Sequence, residues 1–313
     1  MMSGRSTPRS QTAPPVIDYE GSGYRTDFWE GQGRNYEDAT ERLALQRLFP
    51  AQGRRIAEIG AGFGRLADLY LGYEQIVLFD YSRTLLLEAV ARWGDDPRFV
   101  FVAGNVYQMP LAKGSLDTLI LVRVMHHLAD VPRALAEIHR TLHRDSTAVL
   151  EYANKRNLKA VARWLLGRQT WSPMDPTPVE FVKLNFDFHP AWMWEQFTRA
   201  HLVVRRQWAV SHFRTPLIKR LVPPDWLARV DSWLFAAGGR YPLAPSVFVQ
   251  VSAFGQDAAP SPDRDDLTDL FSCPVCRNDR TFTWVGEDRL ECRTCQTQVA
   301  RRDGIWDFKE PLT

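Results

Sequence analysis

Three glycines and one aspartate are spaced so that together they could bind a nucleoside. Gly60, Gly62 and Gly64 follow one short apolar run, and Asp80 ends the next. Glycine lets the backbone turn sharply and approach a ligand without a Cβ clash, and a helix that starts there would offer free N–H groups. A carboxylate at a strand end can accept hydrogen bonds from both hydroxyls of a ribose. The pattern therefore predicts a nucleoside site at the turn between a strand and a helix.

The spacing of these glycines distinguishes the chain from dinucleotide-binding proteins. Arg65 follows the third glycine, so the pattern is G-x-G-x-G and not G-x-G-x-x-G. Two interpretations without a ligand remain open. A tight strand-to-helix turn can require glycines by itself, and Asp80 or Ser82 can cap the next helix, which is compatible with ribose binding.

The four cysteines of the chain form a second group with chemical potential. Cys273 and Cys276 make one C-x-x-C pair, and Cys292 and Cys295 make another. This spacing brings four thiolates around one tetrahedral zinc ion and leaves no open coordination position. The sequence therefore predicts a structural Zn²⁺ site, with a disulfide pair or a vestigial site without metal as the alternatives. No cysteine remains for disulfides elsewhere, which is typical of a reducing compartment.

Alternating strand and helix patterns must position the glycine turn and Asp80. Five strands are predicted, at 56–59, 76–80, 99–103, 116–122 and 148–152. Helices are predicted at 36–48, 65–71, 83–93, 132–142 and 191–201. This alternation is typical of successive βαβ units and a mainly parallel sheet. Two more strands, at 202–210 and 246–254, complete a predicted α/β fold with a Rossmann-like seven-stranded sheet and helices on both faces.

The composition along the chain predicts its domain organisation. The predicted units are a disordered tail at 1–15, a main domain at 16–254 with a cap and insertions within 155–245, a linker at 255–266, and a small zinc module at 267–313. Seven of the 11 tryptophans lie between Trp164 and Trp233, which indicates a hydrophobic cap, although tryptophans that simply pack would give the same count.

Charge and hydropathy exclude little about the partners. The net charge is +2, and a basic excess this small neither requires nor excludes a nucleic acid. No apolar run is long enough to span a membrane and the N-terminus lacks a signal-peptide core, so the expected compartment is the cytoplasm. One basic stretch could meet the phosphates of an RNA or a lipid or form a solvated helix face: Lys155, Arg156, Lys159, Arg163 and Arg168. Nothing in the sequence indicates an oligomeric state.

Four motifs in a fixed order make the assignment more specific. They are E-x-G-x-G-x-G from Glu58, the strand-end Asp80, Ala-Gly-Asn-Val at 103–106, and Arg-Val-Met-His-His-Leu at 123–128. Together they resemble the class I S-adenosylmethionine-dependent methyltransferases, of the type 11-like subgroup that acts on small molecules. The resemblance covers residues 25–155 strongly and 190–254 in outline. It implies transfer of a methyl group from S-adenosylmethionine to an acceptor that the sequence does not identify.

The resemblance also implies a role for each matching position. The methionine end of the donor would lie against Glu58, Gly60, Ala61, Gly62 and Gly64. The remaining roles are ribose binding by Asp80 and Tyr81, adenine binding by Asn105 and Val106, and binding of the methionine amino group by the carbonyl of Arg123. His126 and His127 are candidates for a catalytic base, although this pair is commonly structural in similar sequences.

The acceptor is constrained by the segment after the fourth predicted strand. Methyl transfer is an in-line displacement, so positioning supplies much of the acceleration and a base is needed only if the acceptor loses a proton. The segment lacks the Asn-Pro-Pro-Tyr loop that holds planar amides and exocyclic amines in related enzymes. We therefore expect a small-molecule O- or C-acceptor beneath Tyr24, Phe28, Trp29 and the cap. The alternatives are an RNA or protein acceptor, a non-catalytic S-adenosylmethionine-binding scaffold, and, least favoured, a nicotinamide-dependent oxidoreductase.

The C-terminal cysteine pairs and the Arg302–Phe308 segment resemble a second family. They are similar to the zinc-ribbon activator subunit that partners RNA and release-factor methyltransferases, here fused to the same chain. The resemblance implies that the ribbon stabilises the main domain or docks a substrate.

Overall fold

The computed structural model describes residues 14–256 and 266–312. Most of the predicted tail at 1–15 and most of the predicted linker at 255–266 lie outside the described residues. Within the described residues, no helix is long and apolar enough to cross a bilayer.

The described chain contains 13 strands and eight α-helices. The strands are β1 Gly53–Ile59, β2 Tyr73–Asp80, β3 Phe99–Ala103, β4 Leu116–Leu121, β5 Leu142–Ala153, β6 Val179–Val182, β7 Asn185–Asp187, β8 Leu202–Val210, β9 Ser246–Ala253, β10 Phe282–Trp284, β11 Arg289–Cys292, β12 Gln298–Arg302 and β13 Ile305–Asp307. The helices are α1 Tyr24–Phe28, α2 Asn35–Leu48, α3 Arg83–Trp93, α4 Val131–Thr141, α5 Leu158–Leu165, α6 Pro190–Arg199, α7 Pro216–Leu221 and α8 Pro224–Arg240.

The seven predicted strands are all present and form the central sheet. Their order is β3-β2-β1-β4-β5-β9-β8, with β9 antiparallel to its two neighbours and the other strands parallel to one another. β1 is buried along most of its length, because helices and loops cover both faces of the sheet. The strand order reverses between β1 and β4, and ligands of open α/β sheets bind at such a point, outside the carboxyl ends of the strands.

The prediction of a helix at 65–71 is wrong. This segment instead forms turns and one short 3₁₀ helix, Ala67–Tyr70. The left-handed glycines extend the turn as far as Gly64, and the Arg65 side chain then forms ion pairs with Asp38 and Glu41 on α2. These contacts hold the chain close to α2, and no α-helix N-terminus follows the glycine turn.

The C-terminal module continues the central sheet. β13 pairs in parallel with β3, in the register Trp306 to Val102, and β12, β11 and β10 follow outward to make 11 strands in all. The expected seven-stranded sheet beside a small module is therefore one continuous sheet. The sequence did not predict this pairing, because β13 is only three residues long and meets a strand about 200 positions earlier.

The module also shares its hydrophobic core with the main domain. Phe271, Trp306 and Phe308 belong to the same buried cluster as the residues of α4 and β4. Polar contacts flank this core, including the ion pair between Arg277 and Glu137 and main-chain hydrogen bonds such as Ala112 N to Leu270 O (2.7 Å). The two parts are therefore expected to unfold together.

The region 155–245, in which the cap was predicted, contains α5, the β6–β7 hairpin, α6, α7 and α8, together with the edge strand β8 of the central sheet. α8 packs on α2 and β8, through residues such as Leu227, Ala228 and Phe235. Four of the seven tryptophans in this region are exposed: Trp164, Trp194, Trp226 and Trp233. The tryptophans therefore do not form one common core.

Candidate cofactor cleft and metal centre

Asp80 faces the glycine turn from the end of β2. Its Oδ2 accepts a hydrogen bond from Gly62 N (2.7 Å), and its Oδ1 accepts one from Ser82 N (2.9 Å). Burial raises the pKa of Asp80, and these two hydrogen bonds oppose that shift. The next helix is capped by Ser82, whose Oγ accepts a hydrogen bond from Leu85 N. The cap therefore does not use the Asp80 carboxylate, and each of its oxygens keeps a lone pair for a ligand.

The three glycines are required by the backbone they adopt. Gly60, Gly62 and Gly64 have φ angles of +76°, +54° and +71°, in the left-handed region that favours glycine. A Cβ on Gly60 would lie 2.1 Å from Cγ2 of Val124. Gly60 N and Ala61 N both donate to Phe79 O, which wraps the turn over the end of β2. The turn therefore exposes backbone at a place where a side chain does not fit.

A cleft at this edge of the sheet encloses about 690 Å³, part of it open to solvent. Most of the lining is apolar, as is typical of ligand pockets. The lining residues are Val16, Ile17, Tyr19, Tyr24, Ile59, Gly60, Gly62, Phe79, Asp80, Tyr81, Leu85, Gly104, Val106, Tyr107, Arg123, Val124, His127 and Leu128.

Six of the ten residues predicted to bind the cofactor line this cleft, namely Gly60, Gly62, Asp80, Tyr81, Val106 and Arg123. The other four, Glu58, Ala61, Gly64 and Asn105, are not among the lining residues. Glu58 is buried beside Tyr70, and burial raises its pKa to about 8. The Asn105 side chain accepts a hydrogen bond from Tyr107 N, and this contact shapes the loop. The ligand-binding roles of all ten residues remain predictions.

The N-terminal segment forms a wall of the cleft. In the sequence this segment was recognisable only as a stretch rich in aromatic residues. Tyr19 and Tyr24 line the cleft, with their ring centroids 4.7 Å apart. Glu20 anchors the segment, because its carboxylate accepts hydrogen bonds from the backbone N–H groups of Arg83 and Thr84 at the start of α3. Phe28 is largely exposed, so of the three aromatic residues expected over the acceptor only Tyr24 lines the cleft.

Glu41 connects the two loops that flank the cleft, and the sequence analysis did not identify it. This buried carboxylate on α2 forms ion pairs with Arg65, after the glycine turn, and with Arg123, after β4. Both arginines lower the pKa of Glu41 in spite of its burial. Trp29 stacks on the same guanidinium groups, 3.8 Å from Arg65 and 4.8 Å from Arg123. No local sequence pattern marks a glutamate on a helix as the partner of two arginines far away in the chain, so Glu41 could not be identified from the sequence.

Arg123 adopts a backbone conformation that is unusual for its residue type. Its φ is +60°, and its N–H donates to the buried Glu151 carboxylate (2.9 Å). Such a conformation persists only where surrounding contacts enforce it. Here the contacts are Glu151 at the backbone and Glu41 at the side chain.

The two candidate histidines have different environments. His127 lines the cleft, and its Nδ1 lies 3.2 Å from Leu184 O, while its Nε2 lies 3.3 Å from the Tyr19 hydroxyl. A carbonyl oxygen only accepts, so Nδ1 carries the proton and Nε2 accepts from Tyr19. Burial lowers the pKa of both histidines, more strongly for His126, which does not line the cleft.

The four cysteine sulfurs converge in the C-terminal module. Their Sγ atoms lie within 4.8 Å of one another, with Cys273 and Cys295 3.5 Å apart and Cys276 and Cys292 3.6 Å apart. A tetrahedral zinc with Zn–S bonds of about 2.3 Å requires sulfurs about 3.8 Å apart. The donor set and its geometry therefore fit a closed zinc site.

The two cysteine pairs have the same backbone fold. In each pair the N–H of the first cysteine donates to the carbonyl five residues on, Asn278 in one and Thr297 in the other. The residue after the second cysteine of each pair, Arg277 or Gln296, has a left-handed φ. Its backbone N–H donates to the carbonyl of the first cysteine of the pair. This repeated loop turns both thiols of a pair to one side, as a shared metal requires.

Comparison with known proteins agrees with this geometry. Residues 57–150 match the family model described as a methyltransferase domain. The chain therefore contains a methyltransferase domain. The match covers β1 to β5 and thus includes the glycine turn, Asp80 and Arg123.

Several curated relatives are named as methyltransferases. A "Probable S-adenosylmethionine-dependent methyltransferase" of Mycobacterium tuberculosis is 28% identical over 178 residues, which is 56% of this chain and 58% of the relative. A demethylmenaquinone methyltransferase of Chlamydia felis is 30% identical over 104 residues, which is 32% of this chain and 45% of the relative. The chain thus spans about half the length of the curated relatives it matches.

Solved structures share the fold. A chain from the complex between the Haloferax volcanii Trm112 methyltransferase activator and a methyltransferase superposes with a TM-score of 0.51 at 21% identity, covering 72% of this chain and 94% of that one. An S-adenosylmethionine-dependent methyltransferase from Mesorhizobium loti gives 0.50 at 19% identity, covering 69% and 99%. At these identities the likeness shows the fold alone.

Replacing Gly60 by alanine tests the close approach at the glycine turn. Gly33→Ala is the matched control, because Gly33 has a left-handed φ of +63° but no atom within 4 Å of a new Cβ. We expect Gly33→Ala to cost about 1–2 kcal/mol of unfolding free energy from backbone strain alone. Gly60→Ala adds the clash with Val124, worth about 1–3 kcal/mol more, and weakens binding of S-adenosylhomocysteine. Urea unfolding and calorimetric titration measure both effects, and equal losses in the two variants would contradict the clash.

Metal analysis and thermal unfolding test the cysteine site. We expect one zinc per chain, and a chelator should lower the unfolding midpoint of the entire chain in a single transition, because the module shares its core with the main domain. Added zinc should restore the midpoint. A chain that purifies without metal, or two separate transitions of which only one responds to the chelator, would contradict this assignment.

Proposed function

We propose that this chain transfers the methyl group of S-adenosylmethionine to an oxygen or carbon atom of a small-molecule acceptor. The observation that carries the proposal is the Asp80 carboxylate 2.7 Å from Gly62 N, at the mouth of a cleft in a methyltransferase domain. An acid and a bare backbone turn on neighbouring parallel strands are what ribose hydroxyls and a close-lying ligand chain require.

The residues of the cleft fit this donor. A Cβ on Gly60 would meet Val124, and a Cβ on Gly104 would lie 2.7 Å from the Phe79 ring, so only glycine lets these two loops pack this closely beside the cleft. Asp80 and Tyr81 would hold the ribose and the glycine turn the methionine end, while Val106 would contact the adenine. Once bound, the donor supplies a sulfonium methyl group, and the chain positions the acceptor for in-line attack.

The preference for a small acceptor is supported by the cover over the cleft. Val16, Ile17, Tyr19 and Tyr24 close one side with mainly apolar surface. A macromolecular acceptor such as RNA would need an open groove lined by basic side chains. The alternatives are an RNA or protein acceptor and a scaffold without catalysis. Tests of donor binding and of turnover distinguish these alternatives from the proposed function.

His127 is the residue we assign as proton acceptor if the acceptor is a hydroxyl. Its pKa lies below the ordinary value because the ring is buried, so the ring is neutral near pH 7. Its Nε2 lone pair points to the Tyr19 hydroxyl, which an acceptor hydroxyl would displace. His126 lies outside the cleft lining and receives no such role.

The zinc ribbon would act as a built-in support for the donor site. Lys309 Nζ donates to Tyr81 O (2.9 Å), and Arg83 Nη1 lies 3.0 Å from Asp307 Oδ2. Both contacts hold the loop that begins at Asp80. The relative from Haloferax volcanii was solved with a separate methyltransferase activator, and we infer that the ribbon serves a comparable purpose within one chain.

Ligand titration tests the donor assignment. We expect S-adenosylhomocysteine to bind and NAD not to bind. Asp80→Ala should weaken S-adenosylhomocysteine by about 1–3 kcal/mol, because buried ribose contacts are lost. The control is Asp95→Ala, since Asp95 is exposed beyond α3 and away from the cleft. Binding of NAD would refute the donor assignment, and an unchanged affinity in Asp80→Ala would remove Asp80 from the site.

The pH dependence of turnover tests His127. With simple phenols as acceptors, kcat/KM should fall as the pH drops through the lowered pKa of His127, below 6.5, because the protonated ring no longer accepts a proton. His127→Ala should reduce kcat by about 10²–10⁴ and abolish that limb of the profile. His126→Ala is the neighbouring control and should keep the limb. Retention of both rate and profile in His127→Ala would exclude the base, and donor binding without turnover on any acceptor would favour a scaffold.

A further inference from the structure

One face of the cap exposes large apolar side chains beside basic ones. We call it the docking face and define it by α5 with the turn that follows, and by the β6–β7 hairpin. Its exposed apolar members are Leu158, Trp164, Leu165, Leu166, Phe181 and Val182, with the half-buried Val161 on α5, and its basic members are Lys159, Arg163, Arg168 and Lys183.

The apolar stripe of α5 points away from the protein. In this helix only Ala160 is buried, while Leu165 and the adjoining Leu166 are 71% and 67% exposed. Leu158, Val161 and Leu165 follow one another at helical spacing, so they share one side of the helix. A surface helix of a globular protein normally turns such a stripe to the core. Here no part of the chain that the structure describes covers the stripe.

The hairpin continues the same surface. Phe181 and Val182 at its end are 54% and 60% exposed. Phe181 lines a shallow hollow together with Arg163 and Arg168 from α5 and the turn after it, so the helix and the hairpin adjoin. The helix and the hairpin therefore place their exposed apolar side chains on neighbouring parts of the surface, and a grouping of this kind is typical of interaction sites.

The charge of this face differs from the charge of the chain as a whole. Residues 155–183 contain six basic and two acidic residues, whereas the entire chain has a net charge of only +2. Lys155 is used internally, because its Nζ donates to Asp175 O and Thr177 O. The four basic members of the docking face are exposed, and on α5 Lys159 and Arg163 follow the polar side next to the apolar stripe.

We propose that the docking face binds the surface of an anionic lipid bilayer. Leucine, tryptophan and phenylalanine beside lysine and arginine are the composition of helices that lie in the membrane interface. The eight residues of α5 span about 12 Å, so the helix lies along the interface with its apolar stripe in the acyl boundary. The basic side chains then meet lipid phosphates. A solvated helix face would account for the charges but not for the adjoining leucines.

The docking face is connected to the cleft. Leu184 lies in the turn between β6 and β7, and its carbonyl accepts a hydrogen bond from Nδ1 of His127, a residue that lines the cleft. A membrane bound at the hairpin would therefore lie beside the proposed acceptor region. The lipid-binding inference goes beyond methyl transfer and does not depend on it.

Vesicle co-sedimentation with the full chain tests the proposal. The probes are phosphatidylcholine vesicles with and without phosphatidylglycerol, in the absence of any methyl donor. We expect binding to the anionic vesicles that weakens as salt is raised, and much less binding to the neutral ones. Lys159→Gln with Arg163→Gln should reduce binding to anionic vesicles about fivefold per charge removed. Lys113→Gln with Arg144→Gln, at exposed basic sites elsewhere, should have no effect.

The apolar contribution has its own matched pair. Leu165→Gln with Leu166→Gln should reduce binding at least about tenfold, since two leucines no longer enter the acyl boundary. Glutamine is a good helix former, and both sites are exposed, so the fold should be kept. Leu71→Gln with Leu87→Gln makes the same change at two exposed sites outside the face and should leave binding intact.

Three results would overturn the proposal. The first is failure of the chain to bind anionic vesicles. The second is an equal loss of vesicle binding in the Leu165→Gln, Leu166→Gln variant and in its control. The third is a dimer that this variant converts to a monomer, together with no binding of vesicles. Binding of an RNA oligonucleotide in place of vesicles would likewise assign the face to another partner. S-adenosylhomocysteine titration of every variant reports separately on the proposed function.

Discussion

The hydrogen bond from Gly62 N to the Asp80 carboxylate is the contact on which the cleft depends. It joins the loops after two neighbouring parallel strands, and it forms because Gly60 N and Ala61 N first wrap the turn over Phe79 O. Burial raises the pKa of Asp80, so the carboxylate is maintained by the backbone donors around it. If the turn were displaced, Asp80 would lose a hydrogen-bond donor, and the cleft would lose the glycine backbone that lines it.

A second layer of buried charge holds the rim of the cleft from behind. Glu41 pairs with Arg65 and Arg123, and Glu151 accepts from Arg123 N. Buried charges are tolerated only when paired, so these groups must assemble together. Arg214 is also packed among them, and burial together with the nearby Arg123 lowers its pKa. The strands set the position of the loops, and this network sets their conformation.

The C-terminal ribbon and the main sheet each meet a need of the other. β3 would otherwise be an edge strand with unpaired backbone groups, and β13 covers it. The ribbon is too small to bury a large core of its own, and it packs Phe271, Trp306 and Phe308 against the main domain. Lys309 and Asp307 then reach the loop at Asp80. A cysteine cluster far from the cleft in sequence is thereby linked to the conformation of the cleft.

Local patterns in the sequence determined the strands of the sheet, the glycine turn, the acid at the strand end and the two cysteine pairs, because periodicity and spacing over a few residues encode them. The tertiary structure alone decided that the segment after the turn is no α-helix, that Glu58 and Asn105 are not among the residues lining the cleft, and that Glu41 joins its two rims. It also decided that the ribbon extends the sheet and that α5 turns its leucines outward. These outcomes depend on contacts between residues far apart in the chain, whose energies no local pattern contains.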